Sequence, residues 1–396
     1  MPKKTRLDWD PREEAVIADQ IAAYDRMRKE CPVAYSEYLH WSLFKHAGVM
    51  QALTDTKTFS NAVSSRHVAV PNGMDPPKHS EFRRIMDPYF SATRMAQFEP
   101  VCRATVGQLF EGLGRKQDFD WVAEFAQVFA VQAQCAFLNW PAKLHKPLVK
   151  WSRKNQAAIL SGDRNAIDKI ALEFDGYIRE RINESRNSSA ATQDDPVARL
   201  LRERVWGRPL SEAEIVSILR NWTVGELSTI SACTSILAHF LAMRSSLQQK
   251  LRKQPRLLPG AIDEILRIHP PLISSRRITK AAANLGGCPI SQGERITIIW
   301  ASANRDETVF GDPDEFRLDR NPDHNLLYGA GIHYCPGAPL ARLELRIVME
   351  ELLNRTSSIK LSAARPPSNA TYPAGGFSAL QVSIEWNTRA ANTRAD

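Results

Sequence analysis

Residues 328–342 read Tyr-Gly-Ala-Gly-Ile-His-Tyr-Cys-Pro-Gly-Ala-Pro-Leu-Ala-Arg. Gly329, Gly331 and Gly337 let the backbone turn tightly and approach a neighbour closely. The apolar periodicity that follows predicts a helix over 338–353, which sets Cys335 at a helix N-terminus. That position favours thiolate and makes Cys335 a better ligand than the other cysteines. A structural role among apolar neighbours accounts for Cys31, Cys102, Cys135, Cys233 and Cys288. It does not account for three glycines and a histidine gathered around Cys335.

Working outward, the 396-residue chain is 43% hydrophobic and 24% charged, so it can bury a large core. No eighteen-residue run is uninterruptedly apolar, and no membrane span is expected. Met1 to Asp10 lacks an apolar stretch behind its basic residues and does not read as a secretory signal. Six cysteines without a CxxC pair do not make a disulfide scaffold, so a reducing, cytoplasmic location is expected. The 52 basic and 44 acidic residues give +8, dispersed rather than clustered. That pattern argues against nucleic acid and for solubility or steering of an acidic protein partner.

Helical periodicity dominates from residue 12 to about 270. A helix is expected from Asp10-Pro11 towards Cys31-Pro32, with others at 79–90, 94–113, 120–138, 143–160 and 164–185. Residues 186–196 read as a surface loop. After Pro270, short apolar runs around Ile290 and Ile296 to Trp300 suggest strands, as does Leu380-Gln381-Val382-Ser383-Ile384 near the end. The reading is mainly α with minor β, the β part gathered late.

The longest helix is expected over 211–243, about 33 residues or roughly 50 Å, starting at a Ser211 to Glu214 capping sequence. Its apolar stripe runs through Ile215, Ile218, Trp222, Cys233, Ile236 and Phe240, but also through Glu226 and Thr229. Either Glu226 escapes to solvent and Thr229 bonds back to the carbonyl of Gly225, or the stripe holds a polar notch suited to proton chemistry.

The 328–337 segment closely resembles the haem-binding loop of the cytochrome P450 family, F-G-x-G-x-H-x-C-x-G, with Tyr328 in place of Phe. The resemblance covers most of the chain. Glu264-Ile-Leu-Arg267 is similar to the family's E-x-x-R helix, and Arg320 falls where the arginine completing that network stands. His79 and Arg83 match the H-x-x-x-R pair that contacts a haem propionate. Arg277 and His333 match further propionate partners. The resemblance implies the cytochrome P450 fold, a triangular helical prism with small β-sheets, as one domain over 11–396 after a tail at 1–10. It also implies haem b with an axial thiolate from Cys335, and a monooxygenase in which thiolate favours O–O cleavage of dioxygen and oxygen insertion into a C–H bond.

The long helix departs from the family's A/G-G-x-D/E-T centre. Thr229 takes the threonine position, Ser228 stands where the acid is usual, and Glu226 stands where glycine is usual. Glu226 and Thr229 share a face. Glu226 either supplies protons through Ser228, Thr229 or water, or faces the substrate while Thr229 acts alone. Pro336 has no N–H, so one backbone donor to the sulfur is absent.

By analogy, Val68, Ala69 and Val70, Val224 and Gly225, Ile273 to Ser275, and Gly375 to Phe377 line a substrate pocket. Their character implies a small or medium, mostly apolar substrate, hydroxylated or O-dealkylated. Arg66 and His67 are candidate partners for a substrate carboxylate. With no flavin or iron–sulfur segment in the chain, electrons are expected from a ferredoxin and its NAD(P)H-dependent reductase, docking near Arg342 or the 79–90 helix. A monomer is expected. The alternatives are a peroxide-driven peroxygenase, which Glu226 keeps open, and a non-catalytic haem sensor or carrier.

Overall fold

The computed structural model describes residues 8–64, 69–187, 195–363 and 365–387. These pack into two compact units, each assembled from separated stretches of chain. The first takes residues from 1–80, 263–335 and 370–376; the second takes 81–262, 336–369 and 377–396.

The first unit is organised by a five-stranded sheet in the order Val33–Ser36, His40–Leu43, Arg295–Ile299, Ser274–Thr279 and Phe59–Ser60. Arg295–Ile299 runs parallel to His40–Leu43 and antiparallel to Ser274–Thr279. Three of these strands come from the first sixty residues, so the β structure is not confined to the late part of the chain. Leu43, Val49, Leu53, Ile296, Ile298 and Leu326 form one side of its core. Trp9, Tyr24 and Phe44 pack another, with Ile273 and Ile299. The helix expected from residue 12 is broken into Glu14–Ala18 and Gln20–Glu30. Asp19 interrupts it because its carboxylate caps the second piece, accepting from the amide of Ala22 at 3.0 Å.

The second unit is helical. Ala92–Gly112, His145–Ser161 and Arg164–Asn187 lie within two residues of the sequence expectation. The 120–138 stretch starts as a π-helical turn over Trp121–Ala126 before the α-helix Gln127–Phe137. Phe110, Trp121 and Phe125 stack there, with Phe110 and Phe125 ring centres 4.6 Å apart. The wider turn fits these large buried rings side by side. The 79–90 stretch is α-helical only over Lys78–Met86, then tightens to a 3₁₀ turn at Asp87–Phe90, where Pro88 ends the ladder.

The central helix spans Glu212–Ala242 behind a complete capping box of Ser211 and Glu214. By length and composition it could cross a membrane, but 61% of its most apolar window is buried in the protein, as in a core helix. It packs on Ala338–Arg355 and Gln127–Phe137.

Candidate active site

The Cys335 loop is built within the first unit. The amide of Cys335 donates to the carbonyl of Tyr328 at 2.9 Å, and that of Tyr334 to Gly331 at 3.1 Å, so the chain from 328 to 335 folds back on itself. Gly329 and Gly331 have φ of 74° and 68°, where only glycine is comfortable. Gly331 also lies on the helix His46–Thr54: a Cβ there would stand 2.7 Å from the carbonyl oxygen of Leu53. Cys335 is half-buried and in no disulfide, and three residues later the chain enters the helix Ala338–Arg355.

The same unit holds most of the expected anion-binding groups. His79 is buried, and its ring centre lies 4.2 Å from that of His333. Arg277 is only 4% exposed. Its guanidinium donates to the carbonyl of Arg276 at 2.7 Å and the hydroxyl of Ser275 at 3.3 Å, neither of them an anion. Burial pushes it down to about 10, against the opposing charge of Asp75. Arg83, one turn beyond His79 on Lys78–Met86, is half-buried and bonds Asp87 at 2.6 Å. A half-buried thiol in a glycine-rich turn, a buried guanidinium bonded to a carbonyl and a hydroxyl, and two adjacent imidazoles fit a group that takes a thiolate and brings carboxylates. Haem is such a group.

Glu264, Arg267 and Arg320 come together as one buried trio. Arg267 donates to both Glu264 oxygens at 2.7 and 3.0 Å, and Arg320 Nε donates to Oε1 at 2.9 Å. The spare donors are used: Arg267 bonds the carbonyls of Asn304 and Pro313, and Arg320 those of Phe310, Asp312 and Glu315. The trio thereby ties the helix Leu258–Ile268 to the chain at 304–320.

The second unit carries the expected proton-handling residues. Thr229 is half-buried and Ser228 exposed, its hydroxyl 3.5 Å from the carbonyl of Val224. Glu226 does not escape to solvent: it is buried, and its neighbour is the carboxyl of Glu344 on Ala338–Arg355. Burial raises both carboxyls, and Glu226's charge raises Glu344 further. Glu344 was not anticipated. Its signal is the one that singled out Glu226, a carboxylate on an apolar stripe, here Leu340, Glu344, Ile347 and Val348.

Of the expected pocket residues, Ala69 is half-buried, and Ile273 is buried with its amide on the carbonyl of Pro373 at 3.2 Å. Val224 is half-buried and Gly225 exposed on the central helix. Phe377 packs its ring 4.5 Å from His239. Val68, with Arg66 and His67, lies outside the described residues.

Residues 236–369 match the family model described as Cytochrome P450. The chain is 31% identical over 294 residues to the mycinamicin IV hydroxylase/epoxidase of Micromonospora griseorubida, covering 73% of this chain and 72% of that protein. It is 28% identical over 380 residues to the cyclomarin C epoxidase CymV of Salinispora arenicola, covering 90% and 94%. The crystal structure of CYP109E1 from Bacillus megaterium in complex with corticosterone is similar at a TM-score of 0.83 and 26% identity, covering 92% of this chain and 98% of that one.

Proposed function

The chain belongs to the cytochrome P450 family, and on that premise we propose a haem b monooxygenase whose haem Cys335 would hold through its thiolate. It is a P450 monooxygenase with hydroxylases and epoxidases among its relatives. The proposed reaction inserts one oxygen atom of O2 into a C–H bond of a small or medium, mostly apolar substrate, by hydroxylation or oxidative O-dealkylation. The observation that carries the reading is the closed 328–335 turn, which sets the Cys335 thiol beside left-handed glycines, one of which leaves no room for a Cβ.

When bound, haem with a thiolate ligand supplies the oxygen chemistry, the thiolate favouring O–O cleavage. Cys335 would hold the group, and Arg277, His79, His333 and Arg83 would neutralise its carboxylates. The buried Glu264, Arg267 and Arg320 trio keeps the chain at 304–320 in place. Thr229 Oγ1 and Ser228 Oγ orient water and pass protons at the central helix. Glu226 stores the proton in place of the acid missing at Ser228. Val224, Gly225 and Phe377 in the second unit, and separately Ala69 and Ile273 in the first, are assigned to substrate contact.

We assign electron supply to a ferredoxin and its NAD(P)H-dependent reductase, with the net +8 steering an acidic partner. The protein works as a cytoplasmic monomer. The test is reconstitution with a surrogate ferredoxin, its reductase, NAD(P)H and isotopically labelled dioxygen. A compound that shifts the haem spin state should drive NAD(P)H consumption and yield product carrying one labelled oxygen. Turnover with hydrogen peroxide alone, or bound haem that never responds to compound or reductant, would replace this reading with a peroxygenase or a carrier.

A further inference from the structure

In the second unit two buried acidic side chains are neighbours, with no base paired to either among the described residues. Glu226 and Glu344 stand on packed helices, Glu212–Ala242 and Ala338–Arg355. Glu344 is 0% exposed and Glu226 9%. Neither Glu344 oxygen, nor Glu226 Oε1, has a hydrogen-bond partner among the described residues. The two carboxyls lie close enough for each to act on the other's titration. A carboxylate only accepts, so two neighbouring carboxyls can bond only if at least one carries a proton. Two adjacent buried anions without a cation would repel in a medium that screens them poorly.

The surroundings do not relieve this. The charges reaching the pair are those of Cys102 on Ala92–Gly112 and Cys233 on the central helix, both thiols. Burial pushes Cys102 up to about 12, with Glu226 adding to the rise, so it stays neutral. The nearby arginines are engaged elsewhere: Arg103 with Glu99, Glu350 and Glu351, and Arg346 with Glu99 and Glu350. From Gln127–Phe137, Ser245–Lys253 and Thr356–Leu361, which also pack on these helices, no base pairs with either carboxyl among the described residues.

We propose that Glu226 and Glu344 form a carboxyl dyad that retains at least one proton at neutral pH, and that Glu344 is the positioning residue keeping Glu226 a protonated acid. The inference rests on the proposed proton-delivery role of Glu226. Glu226 lies one turn before Thr229 on the same helix, and the intervening Ser228 has no carboxyl to offer. The proton leaves a Glu226 carboxyl oxygen for a water or hydroxyl at Ser228 and Thr229. The hydrogen bond from Glu344 then stabilises the monoanion left behind, and water returns the proton. No electrons move in this step.

The test is infrared spectroscopy of the haem-loaded protein in H2O and D2O across neutral pH, with peroxide released per NAD(P)H consumed as a second readout. The wild type should show a deuterium-sensitive protonated-carboxyl band at neutral pH that the E226Q/E344Q double variant lacks. E344Q should lower the pH at which peroxide leakage rises by about one unit or more, tenfold in proton activity. E344D, which keeps a carboxyl, should restore part of the shift. Absence of the band in the wild type overturns the dyad, and that measurement needs no variant to fold. A band with an unshifted E344Q profile overturns the positioning role while leaving Glu226's role intact. A band with unchanged leakage in E226Q overturns the proton-delivery reading itself.

Discussion

Replacing Glu264 with glutamine changes one oxygen to an amide and isolates the energetics of the buried trio. In the wild type the carboxylate accepts four hydrogen bonds, at 2.7 and 3.0 Å from Arg267, 2.9 Å from Arg320 and 3.2 Å from the amide of Arg317. The side chains of Arg267, Glu264 and Arg320 are 1%, 6% and 10% exposed. The trio carries two positive charges and one negative, so the substitution raises its net charge from +1 to +2. Two guanidinium groups about 5 Å apart at an effective dielectric constant near 20 repel by roughly 3 kcal/mol. Breaking a buried pair by removing one partner costs about 3–5 kcal/mol, in agreement. Against a typical stability of about 5–15 kcal/mol, this is a large fraction. Equilibrium urea unfolding followed by tryptophan fluorescence should show that loss. Arg320→Gln added to Glu264→Gln should recover part of it, because the net charge returns to +1. A cost below about 1 kcal/mol, the scale of an exposed pair, would refute the reasoning by showing that water screens the trio.

Gly331→Ala should lower haem content and cost at least about 1–2 kcal/mol, because it demands a left-handed alanine whose Cβ meets Leu53 O at 2.7 Å. Gly48→Ala, in a helix of the same unit with open space at the Cβ, should be neutral or stabilising in the same unfolding assay. Glu344 is raised from an ordinary value of 4.5 by burial and by Glu226, so the folded protein keeps a proton that the unfolded chain releases. Its contribution is therefore fully present below about pH 4.5 and declines as pH rises towards the folded value. The slope is up to about 1.4 kcal/mol per pH unit. Unfolding of E344Q across that range should fall less steeply than wild type, and parallel curves would contradict the assignment.

Much of this was legible locally. The 328–337 loop announces itself through three glycines and a cysteine at fixed spacing, and the central helix through Ser211, Glu214 and a long apolar stripe. The early strands were not legible, because Val33–Ser36 and His40–Leu43 are four residues each. The parallel partner of His40–Leu43, Arg295–Ile299, arrives some 250 residues later. The break at Asp19 was missed because a capping carboxylate inside a periodic run looks like a surface residue. The fate of Glu226 was undecidable from its own helix. Its buried neighbour is a second carboxyl on a helix more than a hundred residues away, and no local pattern reports that approach.

The central claim is that Cys335 is a thiolate ligand to haem, and the direct measurement is the absorption spectrum of the purified protein, reduced under carbon monoxide. The account predicts the strongly red-shifted Soret band of a thiolate-ligated haem, abolished in Cys335→Ser while folding is retained. The same spectrum in Cys335→Ser as in the wild type, or well-folded wild-type protein that takes up no haem, would contradict it.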